Sequence, residues 1–216
     1  MAPSFIRLGA AALASATSVA ALQAYQLTES YNPSNFFNDD KFTFFSGADL
    51  NKGFIKYRNK ADAIRLKLVE TNTDDVKIGV DSTNKDVDGR SSVRLESHNS
   101  YNGGLFIADF SHFPAPACGS WPAFWMYGPS WPTTGEIDLY EGFHVNTANT
   151  IVGHTDSPTV VDECKLQASD LTGASVTSDN CWINAPGQWG NQGCGAEETN
   201  GLYGKSTGGI CEYSFP

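Results

Sequence analysis

The chain is poor in positive charge. Fourteen Lys and Arg stand against 24 Asp and Glu, a formal net charge of −10, and no basic tract interrupts that balance. Binding to a polyanion depends on clustered Lys and Arg that displace counterions, so nucleic acid is excluded as a partner, whereas a neutral polymer is compatible. Cysteine is scarce and odd in number. Five residues cannot all pair within one molecule, and without a Cys-x-x-Cys spacing there is no zinc signature. The simplest account is two loop-stapling bridges and one free thiol, with Cys211 the candidate for the odd one and the connectivity left open. No Gly-x-Ser-x-Gly or His-Glu-x-x-His pattern is present, which removes the commonest serine-hydrolase and zinc-protease signatures. No Asn-x-Ser/Thr glycosylation acceptor occurs either.

Long apolar runs are missing as well. The Ala-rich stretch from Leu8 to Leu22 is interrupted by Ser15, Thr17 and Ser18 and falls short of the ~20 residues of a membrane span. Met1 to Arg7 gives it a short basic start, and Ala24 before Tyr25 is a small-residue cleavage site. Together these predict a signal peptide over residues 1–24, hence a secreted, extracellular protein without membrane attachment.

At 216 residues the chain suits one domain of ordinary size, with no internal repeat and no second domain. Beyond the leader no run has helical periodicity. Gly53–Tyr57, Ala63–Leu68, Val76–Val80, Ser91–Ser97 and Leu105–Phe110 read as half-buried strands, the second with Ile64, Leu66 and Leu68 alternating against Arg65 and Lys67. Asn, Asp and Gly clusters separate them. Many short strands at this spacing indicate an all-β sandwich or barrel. After Asp156 the composition turns to Gly, Asn, Ser and Cys with few apolar runs, which reads as a long, disulfide-tied loop region flanking the cleft.

The most informative stretch is Gly135-Glu136-Ile137-Asp138-Leu139-Tyr140-Glu141-Gly142, with three carboxylates in six residues between two glycines. Ile137, Leu139 and Tyr140 favour a strand over a helix. In a regular strand Glu136, Asp138 and Tyr140 share a face and Glu141 points away. A β-bulge near Leu139-Tyr140 would return Glu141 to the face of the other two acids. Three acids on one face raise one another's pKa and favour a shared proton, and glycosidic bonds are cut by a pair of carboxyl groups. The competing reading is a solvated acidic strand or a set of cation ligands.

Just upstream, Trp121, Phe124, Trp125, Tyr127 and Trp131 crowd together, with Ala123, Trp125 and Tyr127 on one face and Phe124 and Met126 on the other. Such rings either fill a small core or bind ligand. Arg94, opposite in parity to Val93 and Leu95, either reaches a cleft or is simply solvated. His154 falls on the strand after the acidic one, where a histidine is structural or functional.

The acid segment resembles the Glu-x-Asp-x-x-Glu signature of glycoside hydrolase family 16. Cys118-Gly119-Ser120-Trp121-Pro122-Ala123-Phe124-Trp125 and Gly104-Leu105-Phe106-Ile107-Ala108-Asp109 are similar to the secreted fungal laminarinase branch, the endo-β-1,3(4)-glucanases. The likeness runs from about Phe42 to about Gly209. It implies a β-jelly-roll sandwich, concanavalin A-like, in residues 25–216. It also implies a retaining mechanism with Glu136 as nucleophile, Glu141 as acid/base and Asp138 as their electrostatic partner. Trp121, Trp125, Trp131, His154 and Arg94 become candidates for substrate binding. The partner implied is β-1,3- or mixed β-1,3/1,4-glucan, the expected state a monomer. No organic cofactor is needed; the fold leaves room for a structural calcium, but no Asp-rich loop singles out its ligands. Family members continue with further strands and another cleft tryptophan beyond the equivalent of Gly208-Gly209, so the chain reads as truncated at the C-terminus. Two alternatives follow: an inactive, truncated glucan-binding protein, and a glucan transglycosylase using the same residues.

Overall fold

The computed structural model describes residues 25–85 and 88–199. The expected leader, the expected C-terminal truncation and Cys211 all lie outside the described residues. The chain divides into two compact units, residues 1–102 and 103–216.

The first unit holds β1 (Phe42–Phe45), β2 (Ile55–Tyr57), α1 (Lys60–Arg65), β3 (Val69–Thr71), β4 (Val76–Ile78), β5 (Arg90–Ser92) and β6 (Arg94–Ser97). These make three two-stranded sheets, β1 with β6 and β3 with β4 antiparallel, and β2 with β5 parallel. Ala63, Leu68 and Val69 are buried, with Phe37, Phe44, Leu66 and Val93 packed against them. The strand expected over Ala63–Leu68 is instead the end of a helix and a turn. Asn59 caps the helix by accepting from the Asp62 backbone N–H, Asp62 lies in its first turn and Arg65 in its last. The helix buries Ala63 and leaves Ile64 54% exposed, so the apparent alternation has no sheet to pack on. The predicted Ser91–Ser97 strand is broken at Val93 into β5 and β6.

The second unit holds β7 (Ala123–Tyr127), β8 (Glu136–Glu141), β9 (Thr150–His154), α2 (Pro158–Val161), a 3₁₀ turn at Ala168–Asp170, β10 (Ala174–Ser178) and β11 (Cys194–Glu198). Its five strands form one antiparallel sheet in the order β10-β11-β9-β8-β7. The region after Asp156, expected to be loop, thus supplies two of the five strands. Leu105–Phe110, expected as a strand, has no more than an isolated bridge residue at Phe106. Its Phe110 ring instead packs 5.7 Å from Phe124 and 6.0 Å from Tyr140, and Phe113 lies 4.2 Å from Tyr140. This cluster covers the sheet face opposite the acids.

Among the described residues one bridge forms, Cys181–Cys194, while Cys118 and Cys164 carry free, exposed thiols, which corrects the expectation of two bridges. The bridge ties the start of the 182–193 loop to β11. Closing a loop of this length restricts the unfolded chain by an amount of the order of 3 kcal/mol. Gly153 on β9 faces Cys194, and a Cβ there would lie 3.1 Å from the Cys194 sulfur, so glycine leaves room for the bridge against the sheet.

Candidate active site

The strand register shows how the acids come to one face. Trp125 pairs with Asp138 and Phe124 with Tyr140, leaving Leu139 as an extra residue on β8: this is the expected bulge. Glu136, Asp138 and Glu141 therefore lie opposite Tyr127, Trp125 and Ala123 on β7, while Glu136 and Asp138 lie opposite His154 and Val152 on β9. Leu139 is buried at 3% exposure and anchors the bulge in the interior.

One residue holds that bulge open. Asn149, 1% exposed, accepts from the Glu141 backbone N–H at 2.9 Å and donates to the Leu139 carbonyl at 3.1 Å. It supplies both partners that the interrupted ladder leaves unpaired. Nothing in its sequence context, a polar residue just before an apolar strand, separates it from an ordinary turn residue. Asn149→Ala is expected to cost about 2–3 kcal/mol of stability, since two buried backbone groups lose their partners. Glu141 also loses the fixed direction that the Asn149 bond gives its backbone. Urea unfolding of the variant beside the parent chain checks the loss.

Each outer acid receives an indole N–H. Trp131 Nε1 donates to Glu136 Oε2, and Trp121 Nε1 donates to Glu141 Oε1. Trp121 and Trp131 are 51% and 44% exposed beside the acids they touch, Trp121 with the Phe143 ring packed 4.9 Å away. Trp125 stacks on Tyr127 with centroids 4.9 Å apart and stands across from Asp138. The three tryptophans singled out by sequence thus gather around the acid strand. Arg94 belongs to the first unit, where it pairs with Glu96 at 2.8 Å and lies 4.8 Å over the Phe45 ring.

Asp138 is 5% exposed, and its Oδ2 lies 3.2 Å from His154 Nε2. Burial opposes a charge on the His154 ring, yet the hydrogen bond and charge of Asp138, with Glu136 and Glu141 adding to them, outweigh it and raise the pKa. Gly193, at φ +67°, sits where a Cβ would be 2.6 Å from His154 Nδ1, so a glycine there fixes how closely the loop can approach the ring. Burial is the main cause that lifts Glu141 to a pKa of about 7, with the Asp138 charge next and Glu136 adding a little; the Trp121 N–H and His154 pull the other way. A carboxyl that keeps its proton near neutrality is suited to protonate a departing oxygen. Among the described residues no three His, Cys, Asp or Glu side chains gather as metal ligands, and no calcium site is assigned.

A pocket of about 380 Å³ adjoins Glu141 on the same sheet face, reaching across Val152 and Gly195 to Thr177 and Ser178 and to Trp189 and Gln192 of the disulfide-tied loop. Part of the region expected to be loop thus lines a pocket together with Glu141. The reading from sequence did not single out Trp189, since its place beside Glu141 depends on β10 and β11 joining the sheet.

A family model described as the XgeA-like catalytic GH16 domain matches residues 42–211. An endo-1,3(4)-beta-glucanase of Arthroderma benhamiae is 39% identical over 86% of this chain and 41% of its own length. A probable glycosidase of Schizosaccharomyces pombe is 36% identical over 87% of this chain and 44% of its own. The chain therefore spans less than half the length of these curated relatives. Among solved structures, an elongating GH family 16 beta-1,3-glucosyltransferase matches with a TM-score of 0.73 and 39% identity, over 85% of this chain and 59% of its own. Laminarinase 16A of Phanerochaete chrysosporium, solved with beta-glucans in donor and acceptor sites, matches with a TM-score of 0.68 and 31% identity, over 77% of this chain and 54% of its own. With these neighbours the all-β chain takes the β-jelly-roll fold.

Proposed function

The chain belongs to glycoside hydrolase family 16, and from that premise we propose that it cleaves internal bonds of β-1,3- or mixed β-1,3/1,4-glucan with retention of configuration. The observation carrying this reading is the Leu139 bulge, which sets Glu136, Asp138 and Glu141 on one face beneath two tryptophans. In the first step the Glu136 carboxylate attacks the anomeric carbon, and Glu141 gives its proton to the departing glycosidic oxygen. A covalent glucosyl-enzyme results. In the second step Glu141, now ionised, takes a proton from water, whose oxygen displaces the Glu136 ester. Asp138, hydrogen-bonded to His154, supplies the negative charge that favours a protonated Glu141 in the first step. Trp121, Trp125 and Trp131 are proposed to stack on glucosyl rings, and His154 to contact sugar.

Residues 25–216 are proposed as the catalytic domain behind a leader at 1–24, which makes the protein a secreted one acting on extracellular glucan; among the described residues no helix is long and apolar enough to cross a membrane. Transfer to a second sugar in place of water is favoured by the likeness to the elongating glucosyltransferase. The test is reducing-sugar release from laminarin with sizing of the products. Shorter chains with matching reducing ends support hydrolysis, and products longer than the substrate support transfer. Binding to insoluble β-1,3-glucan without either product refutes the enzymatic reading.

A further inference from the structure

His154 is bonded through one ring nitrogen. Nε2 lies 3.2 Å from Asp138 Oδ2, while the buried Nδ1 meets no hydrogen-bond partner among the described residues. A ring tethered at one nitrogen is free to swing about its side-chain torsions unless packing stops it. Here the stop is Gly193. A Cβ on that residue would lie 2.6 Å from Nδ1, 3.0 Å from Cε1 and 2.3 Å from the Gly153 carbonyl oxygen, so its backbone closes the unbonded edge of the ring. Gly193 is pinned in turn at its own carbonyl, which accepts from Ser178 Oγ and, at 2.8 Å, from Gln188 Nε2. Ser178 follows a break in the register of β10 with β11, the kind of irregularity that re-aims a side chain. Gln188 Nε2 also donates to the Asn180 carbonyl at 2.9 Å, so one amide joins the residues that precede Cys181 and Cys194 at the bridge. Gln188 itself does not line the pocket beside Glu141.

We propose that Gln188 is a positioning residue for the reaction: through the Gly193 carbonyl it latches the His154 ring against Asp138 and so sets the charge that Glu141 faces. The inference deepens the catalytic reading above and rests on the roles given there to Asp138 and Glu141. The charged groups facing the ring, Asp138, Glu136 and Glu141, all stand on β8, and Gly193 on its other edge brings none. Burial lowers the His154 pKa, and the Asp138 hydrogen bond and charge outweigh it, so a loosened ring gives up the contact that keeps it protonated. Asp138 then turns an uncompensated charge on Glu141. That acid, already raised by burial first and by Asp138 next, holds its proton to still higher pH.

Gln188→Met, which keeps the bulk and removes both donors, tests this in two ways. On laminarin the decline of kcat at high pH should move up by on the order of half a pH unit, and kcat should drop roughly tenfold with KM little changed. The ring proton resonances of His154, identified by their absence from His154→Gln, should titrate with a midpoint lower than in the wild type by a similar amount. Gln188→Asn, whose shorter amide cannot reach both carbonyls, is the gentler variant and should shift both readouts the same way to a smaller degree. An unmoved His154 midpoint, or a fall in activity with the pH profile unchanged, would overturn the proposal. The resonance measurement needs no turnover. A wild-type chain that cleaves no laminarin, with the His154 midpoint still lowered by Gln188→Met, would reject the catalytic reading and keep the latch.

Discussion

Glu136→Gln is expected to lower glucan cleavage by on the order of 10⁴-fold or more while leaving thermal unfolding unchanged. Glu136 opens β8 immediately after Gly135, whose φ of +77° sets the turn into the strand. The amide keeps the size of the side chain and an oxygen able to accept from Trp131, so packing and the indole hydrogen bond survive. What disappears is the anionic oxygen that forms the bond to the anomeric carbon. The loss should therefore be the same on laminarin and on an aryl glycoside, since no leaving group substitutes for a missing nucleophile. Sugar release beside a circular-dichroism melt measures both halves of the expectation. Turnover near the wild-type rate would refute the nucleophile assignment, and loss of the folded state would show that Glu136 is structural.

The position of Glu141 was legible because strand parity is a rigid rule. Six residues of period two cannot place Glu136, Asp138 and Glu141 on one face without an added residue, and the register supplies it at Leu139. Asn149 was not legible, because its importance comes from the backbone groups it meets, and those exist only once the bulge has formed. The helix α1 was misread for a different reason. Ile64, Leu66 and Leu68 alternate as a strand would, but Asn59 and Asp62 form an N-terminal cap whose local hydrogen bond favours the helix. The strands β10 and β11 escaped notice because Ala174–Ser178 and Cys194–Glu198 are small and polar. They join the sheet through backbone pairing and the Cys181–Cys194 bridge rather than through apolar runs. Missing them also hid Trp189, whose loop reaches Glu141 only across those strands.

Glu141→Gln should separate the two substrate classes that Glu136→Gln treats alike. On laminarin the leaving group is a poor one that needs a proton, and the expected loss is roughly 10²–10⁴-fold. On an aryl glycoside with an acidic phenol the first step should persist, and the glucosyl-enzyme should accumulate because the base for the second step is gone. The pH dependence supplies an independent check. Burial, then the Asp138 charge, raise Glu141 to about 7, so the wild-type rate on laminarin should decline as pH rises through about 7 and the acid loses its proton. Asp138→Asn removes the second of those causes and should move the decline to lower pH. The same shift makes a prediction about stability. Between the ordinary carboxyl value of 4.5 and about 7 the folded chain holds a proton that the unfolded chain releases, so stability must fall as pH rises through that window. The full effect is at most about 3 kcal/mol. Glu141→Gln, which cannot titrate, should lack this slope and so gain on the wild type with rising pH across that window. A variant whose unfolding free energy kept the wild-type pH slope would mean that Glu141 does not hold the proton, and the acid role would have to pass to another group on the same face.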